Sequence, residues 1–222
     1  MAQSTKLEEA VEFSENPEPR CPCVLLLDTS GSMQGAPIAA LNEGLKVFEE
    51  DLARDSLAPR RVEVAVVSFD SVVTVVQDFV TADRFAAPTL TAQELTHMGE
   101  AIQTALDMVE QRKATYRANG VVYYRPWVFM ITDGEPQGES PDAIKAAGQR
   151  IHALDSDQRK GVAFFAVGVE EANMDRLRQL ATREPKKLLG LRFREMFLWL
   201  SASMHAVSKS QGKDQEPLPP PG

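Results

Sequence analysis

The sequence predicts an α/β fold: a doubly wound, mostly parallel sheet with helices on both faces and one antiparallel edge strand. Three observations carry this. Short apolar runs at 24–27, 128–131 and 162–169 are bounded by turn-forming or polar residues, the pattern of strands buried on both faces. Between them lie segments whose apolar residues recur every three or four positions, the period of a helix with one buried stripe. Two β-branched runs, 62–69 and 72–76, are separated only by Asp70 and Ser71, a connection that makes a hairpin and so one antiparallel pair. Strands alternating with helices imply βαβ units with right-handed crossovers.

Taken in order, residues 1–20 carry five glutamates, two prolines and few apolar side chains, and read as an acidic, solvated leader that can drape on the domain. The domain proper is expected over 21–208. Its first strand delivers the chain into Asp28, Ser30, Gly31, Ser32 and Gly35. Pro37 suits the first turn of the following helix, expected over 37–57, where Ile38, Leu41, Leu45, Phe48 and Leu52 form one stripe. Pro59-Arg60-Arg61 breaks it before the hairpin. Residues 78–95 read as an irregular connection, and a second helix is expected over 96–117 with Met98, Ile102, Leu106 and Val109 on one side. The strand at 128–131 ends in Thr132-Asp133-Gly134. A third helix over 141–154, a strand over 162–169, a short helix near 174–180 and a last helix carrying Phe193, Phe197, Leu200, Met204 and Val207 complete the domain. The tail, 209–222, ends P-L-P-P-P-G and is expected to be disordered with local polyproline character.

Bulk properties exclude several classes. The chain has 222 residues, is 43% hydrophobic and 25% charged, and carries a formal net charge of −8, with an isoelectric point near 5.0. That charge argues against nucleic acid as the main partner. No apolar stretch approaches the roughly 20 residues of a membrane helix. The first ten residues lack the basic start and apolar block of a secretion signal. The two cysteines, Cys21 and Cys23, are expected as reduced thiols, and the location as cytoplasmic.

The chemistry concentrates at two strand ends. Asp28 follows V-L-L-L and Asp133 follows V-F-M-I-T, so parallel neighbouring strands would set the two carboxylates side by side at one rim. Adjacent anions repel, and either one protonates or a cation sits between them. The hydroxyls of Ser30, Ser32 and Thr96 complete an all-oxygen donor set, which selects Mg²⁺, Mn²⁺ or Ca²⁺ over zinc or copper. Thr96 serves equally as the N-cap of the second helix. Met33, Gln34, Gly35, Phe69, Asp70, Glu135 and Gln137 are expected on loops around this point, as the rim that selects a partner.

These residues carry a resemblance. D-T-S-G-S at 28–32 resembles the D-x-S-x-S motif of the metal-ion-dependent adhesion site (MIDAS) in von Willebrand factor A domains. T-H-M-G-E-A-I at 96–102 resembles that family's threonine loop, and I-T-D-G-E at 131–135 its strand-end aspartate. The likeness spans about 23–207. Within the family the F-L-W-L-S-A-S-M helix is similar to that of bacterial TerY-type proteins encoded in tellurium-resistance clusters. The resemblance implies a Rossmann-like fold and a Mg²⁺ ligated by Ser30 and Ser32. Thr96 would be a state-dependent ligand, and Asp28 and Asp133 would act through water and hydrogen bonds. It implies recognition rather than catalysis: a partner's Asp, Glu or phosphate replaces a metal-bound water. For TerY-type proteins the implied partners are a kinase and a phosphatase of the same gene cluster, in a stress response.

The competing expectation is a Mg²⁺-dependent phosphohydrolase with Asp28 as nucleophile. Ser30 stands where aspartyl phosphatases of the D-x-D type have a second carboxylate, and no phosphate-binding Gly-rich loop or G-x-S-x-G elbow is present. A further expectation is that Glu18 or Glu216 of one molecule reaches the metal of a neighbour.

Overall fold

The computed structural model describes residues 13–54, 58–133, 135–155, 161–169 and 172–209. Six strands form a single sheet in the order β3-β2-β1-β4-β5-β6. They are β1 Cys21–Asp28, β2 Val62–Phe69, β3 Val73–Thr81, β4 Trp127–Thr132, β5 Ala163–Val169 and β6 Lys186–Leu188. All neighbouring pairs are parallel except β2 with β3, and β3 is an edge strand. The architecture is the doubly wound, mostly parallel one with a single antiparallel edge.

The helices are α1 Ala36–Arg54, the single turn α2 Ala58–Arg61, α3 Met98–Ala118, α4 Pro141–Leu154, α5 Met174–Leu180 and α6 Phe193–Lys209. The alternation along β1 explains why both faces need helices. Cys21, Cys23, Leu25 and Leu27 enter one core with Leu41, Leu45 and Phe48 of α1 and Phe197, Leu200 and Met204 of α6. Val24 and Leu26 enter the other, with Ile102, Leu106 and Val109 of α3, Ile144 and Ile151 of α4 and Leu177 of α5. A strand buried on both sides has no polar face, which is why β1 reads as an unbroken apolar run.

Several boundaries differ from expectation. Strand β3 starts at Val73 and continues to Thr81, so part of the expected irregular connection is strand. The Pro59-Arg60-Arg61 break is the helical turn α2. Helix α1 ends at Arg54, and 55–57 lie outside the described residues. Strand β6 was not expected, because three residues that include two lysines carry no legible pattern.

Residues 13–20, read as part of a solvated leader, pack on the domain in this structure. Phe13 is buried, and Arg20 is buried and ion-paired to Glu63 at 2.8 Å. Glu18 pairs with Arg61 at 2.7 Å. Residues 1–12 and the tail from 210 onward, including Glu216, lie outside the described part. Cys21 and Cys23 are free and buried; burial pushes the Cys21 thiol up to about 12, with the Glu63 charge adding to it.

Candidate functional site

The site forms where β1 and β4 end. These strands pair in parallel with Leu27 beside Ile131, so the next residues leave the sheet at the same lip. Asp28 closes β1 and Asp133 follows Thr132 at the end of β4. After Asp28 the chain passes Ser30 and makes a 3-10 turn, Gly31–Met33, before α1. Gly31 is required by close approach: a Cβ there would stand 3.0 Å from the carbonyl oxygen of Gln93 and 3.3 Å from that of Glu94. Those contacts belong to a second loop laid across the first. Gly31 N–H donates to Glu94 O at 3.3 Å and Gln93 N–H to Thr29 O at 2.7 Å.

Residues distant in sequence converge here. The Ser32 hydroxyl donates to Asp133 Oδ1 at 2.8 Å, and the Ser30 and Ser32 hydroxyl oxygens are 3.1 Å apart. Asp28 is 0% exposed; its Oδ1 accepts from Ser30 N–H at 2.8 Å and its Oδ2 from the Thr132 hydroxyl at 2.5 Å. Ser30 is buried too, whereas Ser32 is exposed and Asp133 half-buried. Negative charge is therefore disfavoured at this lip. Burial pushes Asp28 up to about 6, with the bonds from Ser30 and Thr132 pulling against it and the Asp133 charge adding to it. Burial also raises Asp133, opposed by its bond from Ser32.

Thr96 is buried on the crossing loop, two residues before α3. It exchanges two backbone hydrogen bonds with Gln137, at 3.2 and 3.0 Å, which clips the loop before α3 to the one after Asp133. It does not cap α3. That position is His97, whose side chain makes no capping bond. Glu139 supplies the acceptors instead, taking Gly99 N–H at 2.8 Å and Glu100 N–H at 3.0 Å. Gly99 leaves the room: a Cβ there would meet Glu139 Oε2 at 2.9 Å.

The expected rim is partly corrected. Met33 is fully buried in the core with α1, because the 3-10 turn points it inward. Phe69 is the last residue of β2 and packs in the core against the α3 face. Neither can meet a partner. Gln34, Gly35 and Gln137 are exposed. Asp70 is tied inward, accepting from Thr29 Oγ1 at 2.8 Å and Val72 N–H at 3.1 Å. Glu135 pairs with Arg176 at 2.9 Å and accepts from Asn173. Gly134 lies outside the described residues.

Sequence reasoning missed Thr132 and Glu139. Thr132 directly precedes Asp133 at a buried strand end, a usable signal, since a buried hydroxyl there must find an acceptor. Glu139 had none, because the Gly99 N–H it accepts from lies 40 positions earlier in the chain.

The donor set fits a divalent cation. Among the described residues no three His, Cys, Asp or Glu side chains cluster to hold a metal. A cation at this lip would therefore rest on hydroxyl oxygens and two carboxylates, a hard set. It would also favour the ionised carboxylates that burial disfavours at Asp28 and Asp133.

A family model of the von Willebrand factor type A domain matches residues 23–189, and the chain belongs to that family. No curated protein sequence matches the chain. Among solved structures, proximal thread matrix protein 1 from the mussel byssus is 16% identical, with 85% of this chain and 48% of that one covered and a TM-score of 0.59. The von Willebrand factor domain of the type V pilus tip protein Mfa5 from Porphyromonas gingivalis is 12% identical over 91% of this chain and 98% of that one, at 0.59. The ArnB paralog VWA2 from Sulfolobus acidocaldarius is 13% identical over 83% and 45%, at 0.55. The mussel protein is also known with a zinc-occupied MIDAS motif, 16% identical over 85% and 48%, at 0.57. Such identities establish shared fold. The chain spans about half the length of the mussel and archaeal proteins. No helix among the described residues is long and apolar enough to cross a membrane.

Proposed function

We propose that this domain is a cation-dependent protein-recognition module. Asp28, Ser30, Ser32, Thr96 and Asp133 hold a divalent ion, and the exposed side at Ser32 receives an Asp, Glu or phosphate of a partner. The observation that carries the reading is the Ser32–Asp133 hydrogen bond of 2.8 Å, with Ser30 3.1 Å from Ser32. Side chains 101 positions apart meet at one lip, with oxygen donors only. When bound, the ion supplies a positive charge to which an anionic group can attach. The protein contributes the rest. The two strand ends fix the donors, Thr132 and the Ser30 N–H orient Asp28, and backbone bonds to Gln137 fix the loop that carries Thr96.

Mg²⁺ is the expected ion, with Mn²⁺ and Ca²⁺ as alternatives. Zinc joins the test because a structural neighbour carries it in the corresponding motif. The phosphohydrolase reading is disfavoured by the state of Asp28. It is fully buried, and both its oxygens already accept hydrogen bonds, which is poor placement for a nucleophile. The TerY likeness extends the proposal to a cytoplasmic tellurium-resistance or stress-response setting, with a kinase or phosphatase of the same gene cluster offering an acidic or phosphorylated loop.

Titration calorimetry of the chelator-treated protein with Mg²⁺, Mn²⁺, Ca²⁺ and Zn²⁺ tests the core claim. One ion should bind per chain. Ser30→Ala and Ser32→Ala should each weaken binding about 10–100-fold with cooperative unfolding retained. Unchanged affinity in both folded variants would sink the assignment.

A further inference from the structure

The second end of the sheet's order, at β6, carries an apolar cleft that the metal site does not use. It lies between β6 and α6 and is lined by Lys186, Lys187, Leu189, Arg192, Met196 and Trp199. Leu189 is 61% exposed at its mouth. The charges that line it are mainly positive. Nearby Arg176, Arg178 and Arg183 each hold a carboxylate. Lys186, Lys187 and Arg192 form no ion pair among the described residues, and one acid, Glu195, shares the lining. Three uncompensated cations around an apolar floor, on a chain of net charge −8, ask for an acidic segment with apolar side chains.

The chain supplies such a segment. Beyond Lys209 it continues S-Q-G-K-D-Q-E-P-L-P-P-P-G, with Asp214 and Glu216 immediately ahead of Leu218 and its flanking prolines. The reach is right. Helix α6 ends at Lys209, and Trp199 and Arg192 lie back along it by about 15 and 25 Å at ~1.5 Å per residue. An extended chain leaving Lys209 brings Asp214 to about 17 Å and Leu218 to about 30 Å at ~3.3 Å per residue. Proline-rich sequence is already extended, which lowers the entropy lost on docking, and proline rings pack well on aromatic side chains such as Trp199. We propose that residues 214–219 dock in cis in this cleft, with the acidic residues against the cations that line it and the Pro-Leu-Pro run on its apolar floor.

Acrylamide quenching of tryptophan fluorescence reads the cleft directly, since the other tryptophan, Trp127, is buried. The full chain is compared with a chain ending at Lys209, and Trp199→Phe identifies the signal. Truncation should raise the Trp199 quenching constant about twofold. A synthetic peptide of residues 210–222 should reverse the rise. Lys186→Glu with Lys187→Glu, both on exposed positions, should reproduce it in the full chain. The effect should be independent of protein concentration and of chelator. Equal quenching in full and truncated chains overturns the proposal. Dependence on concentration would place the tail on a second copy, and dependence on chelator would place it on the metal lip; each likewise overturns docking in cis.

Discussion

Asp28 sits fully buried at a strand end with its pKa pushed up to about 6 against an ordinary 3.8. The folded state therefore holds a proton between those values that the unfolded state releases. Stability from this group is full below pH 3.8 and is lost as pH rises through 6, by about 2–3 kcal/mol in all. Asp28→Asn keeps an acceptor for the Ser30 N–H and has no such titration. In urea unfolding of chelator-treated protein, the wild type should lose stability relative to Asp28→Asn between pH 4 and 7. A saturating divalent ion should return that stability to the wild type only, because the cation favours the ionised carboxylate. Parallel curves for the two proteins would show that Asp28 does not titrate in this window.

At the scale of elements, the site depends on how loops are tied between secondary structures. The T-H-M-G segment carries Thr96 and then opens α3, and its position is set from outside the segment. Gln137 clips Thr96 through the backbone, and Glu139 accepts the first free N–H groups of the helix. A carboxylate at a helix N-terminus also meets the favourable end of the helix dipole. Glu139→Ala should cost about 1 kcal/mol in urea unfolding and should weaken cation binding several-fold through the loosened Thr96 loop. Glu139→Gln, which retains an acceptor, should recover much of both. A variant with lowered stability and unaltered cation affinity would separate the cap from the site.

Across the whole molecule the two ends of the sheet have different tasks. Opposite the lip that carries Asp28 and Asp133, Glu63 at the start of β2 accepts from Arg20 Nε at 2.8 Å, from Arg112 Nε and Nη2 at 2.8 and 2.9 Å, and from Tyr116. Phe13 lies under both guanidiniums, at 5.4 and 5.1 Å from ring centre. One buried carboxylate thus ties the segment before β1, strand β2 and helix α3 together. Glu63→Gln leaves two buried cations short of their counter-charge and should cost about 3–5 kcal/mol. Calorimetry on the folded fraction should find cation affinity unchanged, since the cluster lies at the far end of the sheet. A matching fall in affinity would mean the two ends are coupled.

The sequence by itself determined the layers and marked the residues proposed as donors. Unbroken apolar runs mark strands buried on both faces, helical stripes mark what covers them, and a strand-end Asp followed by spaced serines marks the lip. These signals are local, so a linear reading reaches them. Tertiary structure decided what depends on partners far along the chain. Met33 and Phe69 were expected at the rim, yet the 3-10 turn and the last position of β2 send both into the core. Arg20 reads as a solvated leader charge until Glu63, forty-three residues on, is placed beside it. Strand β6 exists through its pairing with β5, since three residues with two lysines have no strand pattern of their own. Burial and pairing are set by what the rest of the fold brings alongside, and that is why Thr132 and Glu139 emerge as supports of the site only once the sheet is assembled.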